Sequence, residues 1–102
     1  MVLVVLDGRL SDDALDALLS TRLVGHRRPH APSAASELEA RGFEVRANVT
    51  TPRAVAGRRG RIALLARRGD EVIAIGMGDR ARTRAKLGAF EDVTACVIVR
   101  AA

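Results

Sequence analysis

Short apolar runs separated by charged segments define the elements of this chain. The run VLVVL at residues 2–6 predicts a buried strand, and DGR at residues 7–9 predicts a turn. Ser11 is placed to cap a first helix, which Gly25 would end. The leucines of this helix recur at helical spacing and predict its inward-facing stripe. They are Leu15, Leu18, Leu19 and Leu23.

The middle of the chain predicts a second helix followed by three strands. SAASELEAR begins a helix at Ser33 that ends at Gly42, and the alternation in FEVRANV predicts a strand with one solvated face. A basic loop, TTPRAVAGRRG, comes next. RIALLA and EVIAIGM, joined by RRGD, then predict a β-hairpin.

A third helix and a last strand complete the pattern. Asp79 is placed to cap a helix over DRARTRAKLGAF, with Thr83, Leu87 and Phe90 on its apolar side. TACVIVR is nearly all apolar, which predicts a strand that is central or covered on both faces. This order of elements indicates the α/β class, with a mixed β-sheet flanked by helices.

The composition fits one small, basic domain. The chain has 102 residues, 48% of them hydrophobic, and a net charge of +5. Lys86 is its single lysine, so nearly all positive charge is arginine, which binds phosphate in a bidentate way. One interpretation is an acidic partner such as nucleic acid. The other is an arginine-rich genome that uses arginine where others use lysine.

The cysteine and the histidines do not indicate a reactive or metal site. Cys96 lies within the last predicted strand and is expected in the core. His26 and His30 have helical spacing, but the prolines at 29 and 32 argue against a continuous helix there. No apolar run reaches the ~18–20 residues of a membrane span. A cytoplasmic protein without membrane association is therefore expected.

Two stretches after Ser33, SELEARGFEVRANV and RIALLARRGDEVIAIGMGDR, carry a family resemblance. The first resembles the opening helix and first strand of the PD-(D/E)xK nuclease superfamily, and the second resembles its central hairpin. The resemblance implies a restriction-endonuclease-like core, α-β-β-β-α-β, over residues 33–102. Residues 1–32 would then be an N-terminal strand–helix extension of the same domain.

The signature residues of that family are replaced in this sequence. Active members open the first hairpin strand with Pro-Asp, where this chain has Gly60 and Arg61. They close the second with Glu-x-Lys or Asp-x-Lys, where this chain has Gly76, Met77 and Gly78. Such carboxylates hold Mg²⁺, which polarises the scissile phosphate. The resemblance therefore implies an inactive nuclease-like domain without a cofactor, with Mg²⁺ expected only if activity is retained.

Three remaining residues have two interpretations each. Glu37 matches the acidic residue of the family's opening helix, but it is also spaced to pair with Arg41. Lys86 matches a lysine that in some relatives has moved onto the following helix, although a surface cation is the simpler interpretation. Asp79 stands one residue after the lost lysine position, where a helix cap explains it as well. A rewired metal-dependent nuclease would use Glu37, Asp79 and Lys86.

The function expected from the resemblance is binding of nucleic acid without catalysis. Contacts from arginine to phosphate give salt-sensitive binding with little sequence preference. The absence of Trp and Tyr favours duplex DNA over single strands. The expected contact residues are Arg53, Arg58, Arg59, Arg61, Arg80, Arg82, Arg84 and Lys86.

Two alternatives remain open from the sequence. In the first alternative, the chain is a protein-interaction or scaffold module, and its N-terminal strand and helix form a homodimer or join a larger assembly. In the second, GMGDR turns a strand into a helix in an unrelated fold and offers backbone N–H groups to a phosphate.

Overall fold

The described part of the chain forms three helices and five strands in the predicted order. The computed structural model describes residues 2–20, 31–52, 54, 57, 59–77 and 80–100, with the backbone alone at 2, 31–33, 80–83 and 100. The elements are β1 (Val2–Gly8), α1 (Asp12–Leu19), α2 (Ala31–Ala40), β2 (Glu44–Thr50), β3 (Arg61–Arg68), β4 (Glu71–Met77), α3 (Arg80–Leu87) and β5 (Ala95–Arg100).

The strands form one mixed sheet in the order β1-β5-β4-β3-β2. β4 and β5 run parallel and are joined through α3, whereas every other neighbouring pair is antiparallel. β5 therefore lies inside the sheet between β1 and β4, which confirms the prediction made for TACVIVR. The α/β class with a mixed sheet and flanking helices is confirmed as well.

Helices cover both faces of this sheet. α1 and α2 pack on one face, the helix-pair face, where Leu18 and Leu38 share a buried cluster with Ile75. α3 packs on the opposite face, the α3 face, where Leu87 shares a second cluster with Ile98. Burial of these aliphatic side chains supplies the main stabilising term of the domain.

Two helix ends follow the signals in the sequence. The Ser11 hydroxyl accepts a hydrogen bond from the backbone N–H of Ala14 at 3.2 Å, which caps α1. After α2, Gly42 has a φ of 90°, and the N–H of Phe43 donates to the carbonyl of Leu38 at 3.1 Å. This is the closing motif that a glycine beyond a helix end permits.

The first strand continues through the turn predicted at residues 7–9. β1 reaches Gly8, which pairs with Ala95 of β5 after a register shift between Val5 and Asp7. A Cβ at Gly8 would stand 1.8 Å from the carbonyl oxygen of Thr94, so only glycine fits so close to the neighbouring backbone. The predicted turn is therefore wrong: Gly8 lacks a side chain so that β1 can pair closely with β5 at this point.

Other element bounds differ by a few residues. α2 begins at Ala31, two residues earlier than predicted, and α3 ends at Leu87, three residues earlier. β3 and β4 extend toward each other until only Gly69 and Asp70 remain in the turn. Gly69 has a φ of 57°, which explains glycine at this position.

The predicted leucine stripe of α1 is partly wrong. Leu18 is fully buried, but Leu15 and Leu19 are 37% and 55% exposed. Ala14 and Ala17 face inward instead, and both are fully buried. Small side chains let α1 approach α2 and the sheet closely, so alanines form the buried stripe. Hydrophobic spacing alone favours leucines over alanines as the buried residues of a helix.

β2 changes the face it presents halfway along. Val45 packs on the helix-pair face, whereas Val49 packs in the cluster on the α3 face. An even spacing in a regular strand would keep both on one face. Asn48 lies between them with a φ of 52°, a left-handed conformation that asparagine tolerates better than most residues. The reversal directs the end of β2 toward α3.

Polar contacts join α1 to the β3–β4 hairpin. The Ser11 N–H donates to Glu71 Oε2 at 2.8 Å, and the Ser11 hydroxyl donates to Glu71 Oε1 at 2.7 Å. Arg68 donates to Asp13 at 2.9 Å, and its guanidinium lies 4.4 Å from the ring centre of Phe43. The N-terminal strand and helix thus share both core and polar contacts with the rest of the domain.

Candidate nucleic-acid interface

The two segments that the resemblance aligns with the nuclease motifs lie at the same end of the sheet. β3 begins at Arg61 and β4 ends at Met77, and the two strands are antiparallel neighbours with Leu64 opposite Ile75. Gly76 is buried beside Ile98 of β5. The start of β3 and the end of β4 therefore converge as predicted, up to Met77. Gly78 lies outside the described residues.

Glu37 does not join Gly76 at this end of the sheet. Ile75 and Met77 pack on the helix-pair face, so strand alternation directs Gly76 toward the α3 face. Glu37 belongs to α2, which packs on the helix-pair face. A metal held by both positions would need them on one side of the sheet.

Glu37 instead forms the predicted pair with Arg41, at 2.9 Å. Arg41 also binds Asp16 of α1 at 2.7 Å, a contact that the sequence did not predict. These hydrogen bonds, from Asp16 first and Glu37 second, raise the pKa of Arg41. The interpretation of Glu37 as a helix ion pair is confirmed.

Lys86 of α3 lies across the backbone of Gly60, the residue before β3. A Cβ at Gly60 would stand 2.9 Å from Lys86 Cε and 3.1 Å from Cδ, so the lysine stem fills the space of a side chain. Gly60 is held in turn by Thr51, which is 1% exposed. The Thr51 hydroxyl accepts the Gly60 N–H at 3.0 Å, and the Thr51 N–H donates to the Gly60 carbonyl at 2.8 Å.

Four cations lie on the two chain segments that meet at this contact, and we call them the cationic cluster. They are Arg59, Arg61, Arg84 and Lys86. The three arginines are exposed and Lys86 is half-buried. Within the part of the chain that the structure describes, the side chain of none of the four makes an ion pair or hydrogen bond. Among the described residues, their charges therefore have no acidic partner.

The chain segments that carry the cationic cluster contain no acidic residue, although Glu91 and Asp92 follow the second of them directly. Residues 45–69 have no Asp or Glu, and neither do residues 80–90. Arginines at the other end of the sheet are paired instead: Arg67 binds Asp92 at 2.8 Å, and Arg68 binds Asp13 at 2.9 Å. The described residues thus form a cationic end, at the start of β3, and an opposite end where Arg67 and Arg68 are paired with acids.

Two further exposed cations lie outside the cluster. Arg9 follows β1 at the opposite end of the sheet, and Arg46 lies on the edge strand β2. Neither has an acidic partner among the residues described. Arg9 provides a matched control for the cluster, because its removal changes the charge equally at a distant place.

The other predicted contact residues lie beyond what the structure describes. Arg53 and Arg58 are outside the described residues, and for Arg80 and Arg82 the backbone alone is given, on the first turn of α3. The positions of Leu23, Gly25, His26, His30 and Asp79, and the side chain of Thr83, are outside them as well.

Potential metal ligands are not gathered in the described regions. No group of three or more His, Cys, Asp or Glu residues is placed to hold a metal ion among the residues that the structure covers. Cys96 is buried at 9% exposure, as predicted for a core residue, and burial first, then Asp7, raises the pKa of its thiol. A shallow depression beside α3 has an acidic rim and does not suit an anion; it is lined by Pro52, Ala89, Phe90, Glu91 and Asp92.

Sequence reasoning missed Thr51 and the contact of Gly60 with Lys86. The contact joins segments that are distant in the chain, and no local pattern indicates it. In the described regions no helix is long and apolar enough to cross a bilayer. No protein-family model, curated protein or solved structure matches the chain. Membership of the PD-(D/E)xK superfamily therefore stays a prediction.

Proposed function

We propose that this protein binds the phosphate backbone of duplex nucleic acid, most simply duplex DNA, without cleaving it. The observation that carries the proposal is the cationic cluster: four positive side chains, on the segments joined by the Gly60–Lys86 contact, that have no acidic partner among the described residues. Unpaired cations on one end of a small domain create a local positive potential that attracts polyanions. Arg53, Arg58, Arg80 and Arg82 complete the proposed interface.

The order of elements supports a nuclease-like core with a lost catalytic site. From α2 onward it is helix, three strands, helix and strand, as the resemblance implies. The position proposed to correspond to the metal-binding aspartate is Arg61, whose charge repels a cation and attracts phosphate. Gly76 offers no side chain at all.

The aromatic residues favour contacts to backbone over contacts to bases. Phe43 is 4% exposed, and Phe90 packs against the cluster on the α3 face. They are the only aromatic residues of the chain. Single-strand binding relies on exposed aromatic platforms for base stacking. Duplex backbone is therefore the better match.

Duplex binding across a salt series tests the proposal. For a short fluorescent duplex between about 50 and 200 mM salt, the slope of log K against log salt falls by about 0.9 for each phosphate contact removed. The Arg59→Ala/Arg61→Ala variant should therefore lower the slope by about 1.8 if each arginine binds one phosphate. Weakening should be similar for unrelated duplex sequences.

Arg9→Ala is the matched control, since it removes one charge at the opposite end. Its slope should equal that of the wild type, and far-UV circular dichroism should show all variants folded. Equal losses in Arg9→Ala and in the single cluster variants would refute a localised interface. Mg²⁺-dependent cleavage of plasmid that disappears in Glu37→Ala would revive the rewired nuclease.

Self-association is a second candidate function, favoured by the edge strand β1. Val5 is 42% exposed, and Asp7 is the one charged residue of this strand. The other edge, β2, carries Glu44 and Arg46 and is distorted at Asn48, features that discourage edge pairing. An antiparallel β1–β1 contact would join two copies without opposing like charges near its centre.

Sedimentation equilibrium tests this second function. The wild type should dimerise, and Val5→Lys, which places a charge on the edge, should be monomeric. A wild type that stays monomeric at high concentration would exclude the homodimer.

A further inference from the structure

The backbone of Gly60 does not explain why glycine stands there. Its φ is outside the left-handed region that favours glycine, unlike those of Gly42 and Gly69. A side chain at this position would displace the stem of Lys86, whose Cγ, Cδ and Cε all lie within 3.2 Å of the place of a Cβ. The missing side chain is therefore a space that Lys86 occupies.

We infer that Gly60 is a seat that positions Lys86, and that the seated ammonium group is a fixed phosphate contact at the base of the β2–β3 loop. This inference rests on the proposed function, because it names the residue that anchors the nucleic-acid backbone. Thr51 completes the device, since its two hydrogen bonds hold Gly60 where the lysine crosses it.

Positioning in advance changes the affinity of a lysine for phosphate. A free lysine loses rotamer freedom when it binds, and a lysine already held against the protein has lost that freedom before binding. Immobilising one such side chain costs an amount equivalent to about 2- to 10-fold in affinity. Displacing Lys86 from its seat should weaken binding by this factor while the charge remains.

Gly60→Ala separates position from charge. The new Cβ would meet the far end of a flexible side chain at 2.9 Å, so Lys86 moves aside and the fold is retained. Gly88→Ala is the matched glycine-to-alanine control. Its Cβ would lie 3.5 Å and 3.7 Å from the carbonyl oxygens of Arg84 and Ala85, which are ordinary contacts.

Lys86 can be observed directly, because it is the single lysine of the chain. Protein labelled with ¹³C-lysine gives one Cε–Hε resonance. We expect Gly60→Ala to shift this resonance and Gly88→Ala to leave it in place. Addition of duplex should perturb it in the wild type.

Affinity for the same duplex completes the experiment. Gly60→Ala should bind about 2- to 10-fold more weakly than the wild type and Gly88→Ala equally well. In a Lys86→Met background, which keeps the stem and removes the charge, Gly60→Ala should have no further effect on binding.

The two arms distinguish the inference from the function on which it rests. A wild type without affinity for duplex refutes the proposed function, and the Lys86 resonance in Gly60→Ala then still tests the seat alone. If the wild type binds and Gly60→Ala leaves either the resonance or the affinity unchanged, the inference is overturned. An equal effect of Gly60→Ala in the Lys86→Met background also overturns it.

Discussion

Replacing Ser11 with alanine removes three side-chain hydrogen bonds at one point of the fold, the longest of them donated by Arg68 at 3.3 Å. The Ser11 hydroxyl caps α1 by accepting the Ala14 N–H, and it also donates to the carboxylate of Glu71 at 2.7 Å. Glu71 begins β4. The hydroxyl therefore joins the N-terminal helix to the central hairpin, and its loss destabilises both.

The expected cost follows from the two shorter contacts, to Ala14 and Glu71. Loss of a serine cap costs about 1 kcal/mol. A hydrogen bond to a charged group contributes about 1.5–3 kcal/mol, and the Glu71 side chain, at 16% exposure, is screened little by water. Ser11→Ala should thus destabilise the domain by about 2.5–4 kcal/mol. In a domain of this size the melting temperature should fall by roughly 10 °C or more.

Urea unfolding with a double-mutant cycle measures the effect. Ser11→Ala, Glu71→Ala and the double variant should show a coupling energy of about 1–2 kcal/mol. Glu71→Ala should cost more than Ser11→Ala, because it also removes the acceptor of the Ser11 N–H. Ser20→Ala, at the other end of α1, is the control and should stay within about 0.5 kcal/mol of the wild type. A Ser11→Ala variant as stable as this control, or zero coupling, would refute the reasoning.

Three further measurements test the packing and the charges. The hydrogen bond from Arg67 lowers the pKa of Asp92, so an NMR titration of Asp92 should give a midpoint below the ordinary value, and Arg67→Ala should raise that midpoint. Because the pKa of Asp92 is lower in the folded state than in the unfolded state, the pair stabilises the fold at pH values above the unfolded pKa. This contribution is lost as the pH falls through the folded pKa. An unchanged Asp92 midpoint in Arg67→Ala would contradict this pairing. Leu18→Ala should cost about 2–5 kcal/mol, whereas the exposed Leu19→Ala should stay within about 0.5 kcal/mol; equal costs would show α1 packed differently. Cys96 should react with iodoacetamide slowly when native and rapidly when unfolded, and fast native reaction would exclude its burial.

Local chemistry made the element order predictable. Ser11 and Gly42 act at helix ends through their own side-chain and backbone properties, which neighbouring residues do not alter. The apolar TACVIVR segment had to be covered on both faces, and β5 is. The α/β class follows from these local signals together with the short turn at Gly69.

Contacts between distant segments were not predictable from the sequence. The buried stripe of α1 contains alanines where Leu15 and Leu19 were expected, because close packing between helices favours small residues. Asn48 reverses the face of β2 by one left-handed residue inside a strand pattern that looks regular. Each of these features depends on the surface against which the element packs, and hydrophobic spacing carries no information about that surface.

The candidate site was predicted in part for the same reason. Antiparallel pairing brings the start of β3 to the end of β4, as the hairpin pattern implies. No local pattern indicates that Gly76 and Glu37 lie on opposite faces of the sheet, because that requires knowing which face α2 covers. The pairing of Gly60 with Lys86 likewise exists only once α3 has packed on the sheet.

The most direct test of the account is an amide NMR titration of ¹⁵N-labelled protein with duplex DNA at low salt. Binding through the cationic cluster predicts that the resonances of residues 59–61 and 84–87 shift together and return as salt is added. Those of residues 8–10 and 69–71, at the opposite end of the sheet, should stay in place. Shifts confined to the opposite end, or none at all, would contradict the claim that this protein binds phosphate through the start of β3 and α3.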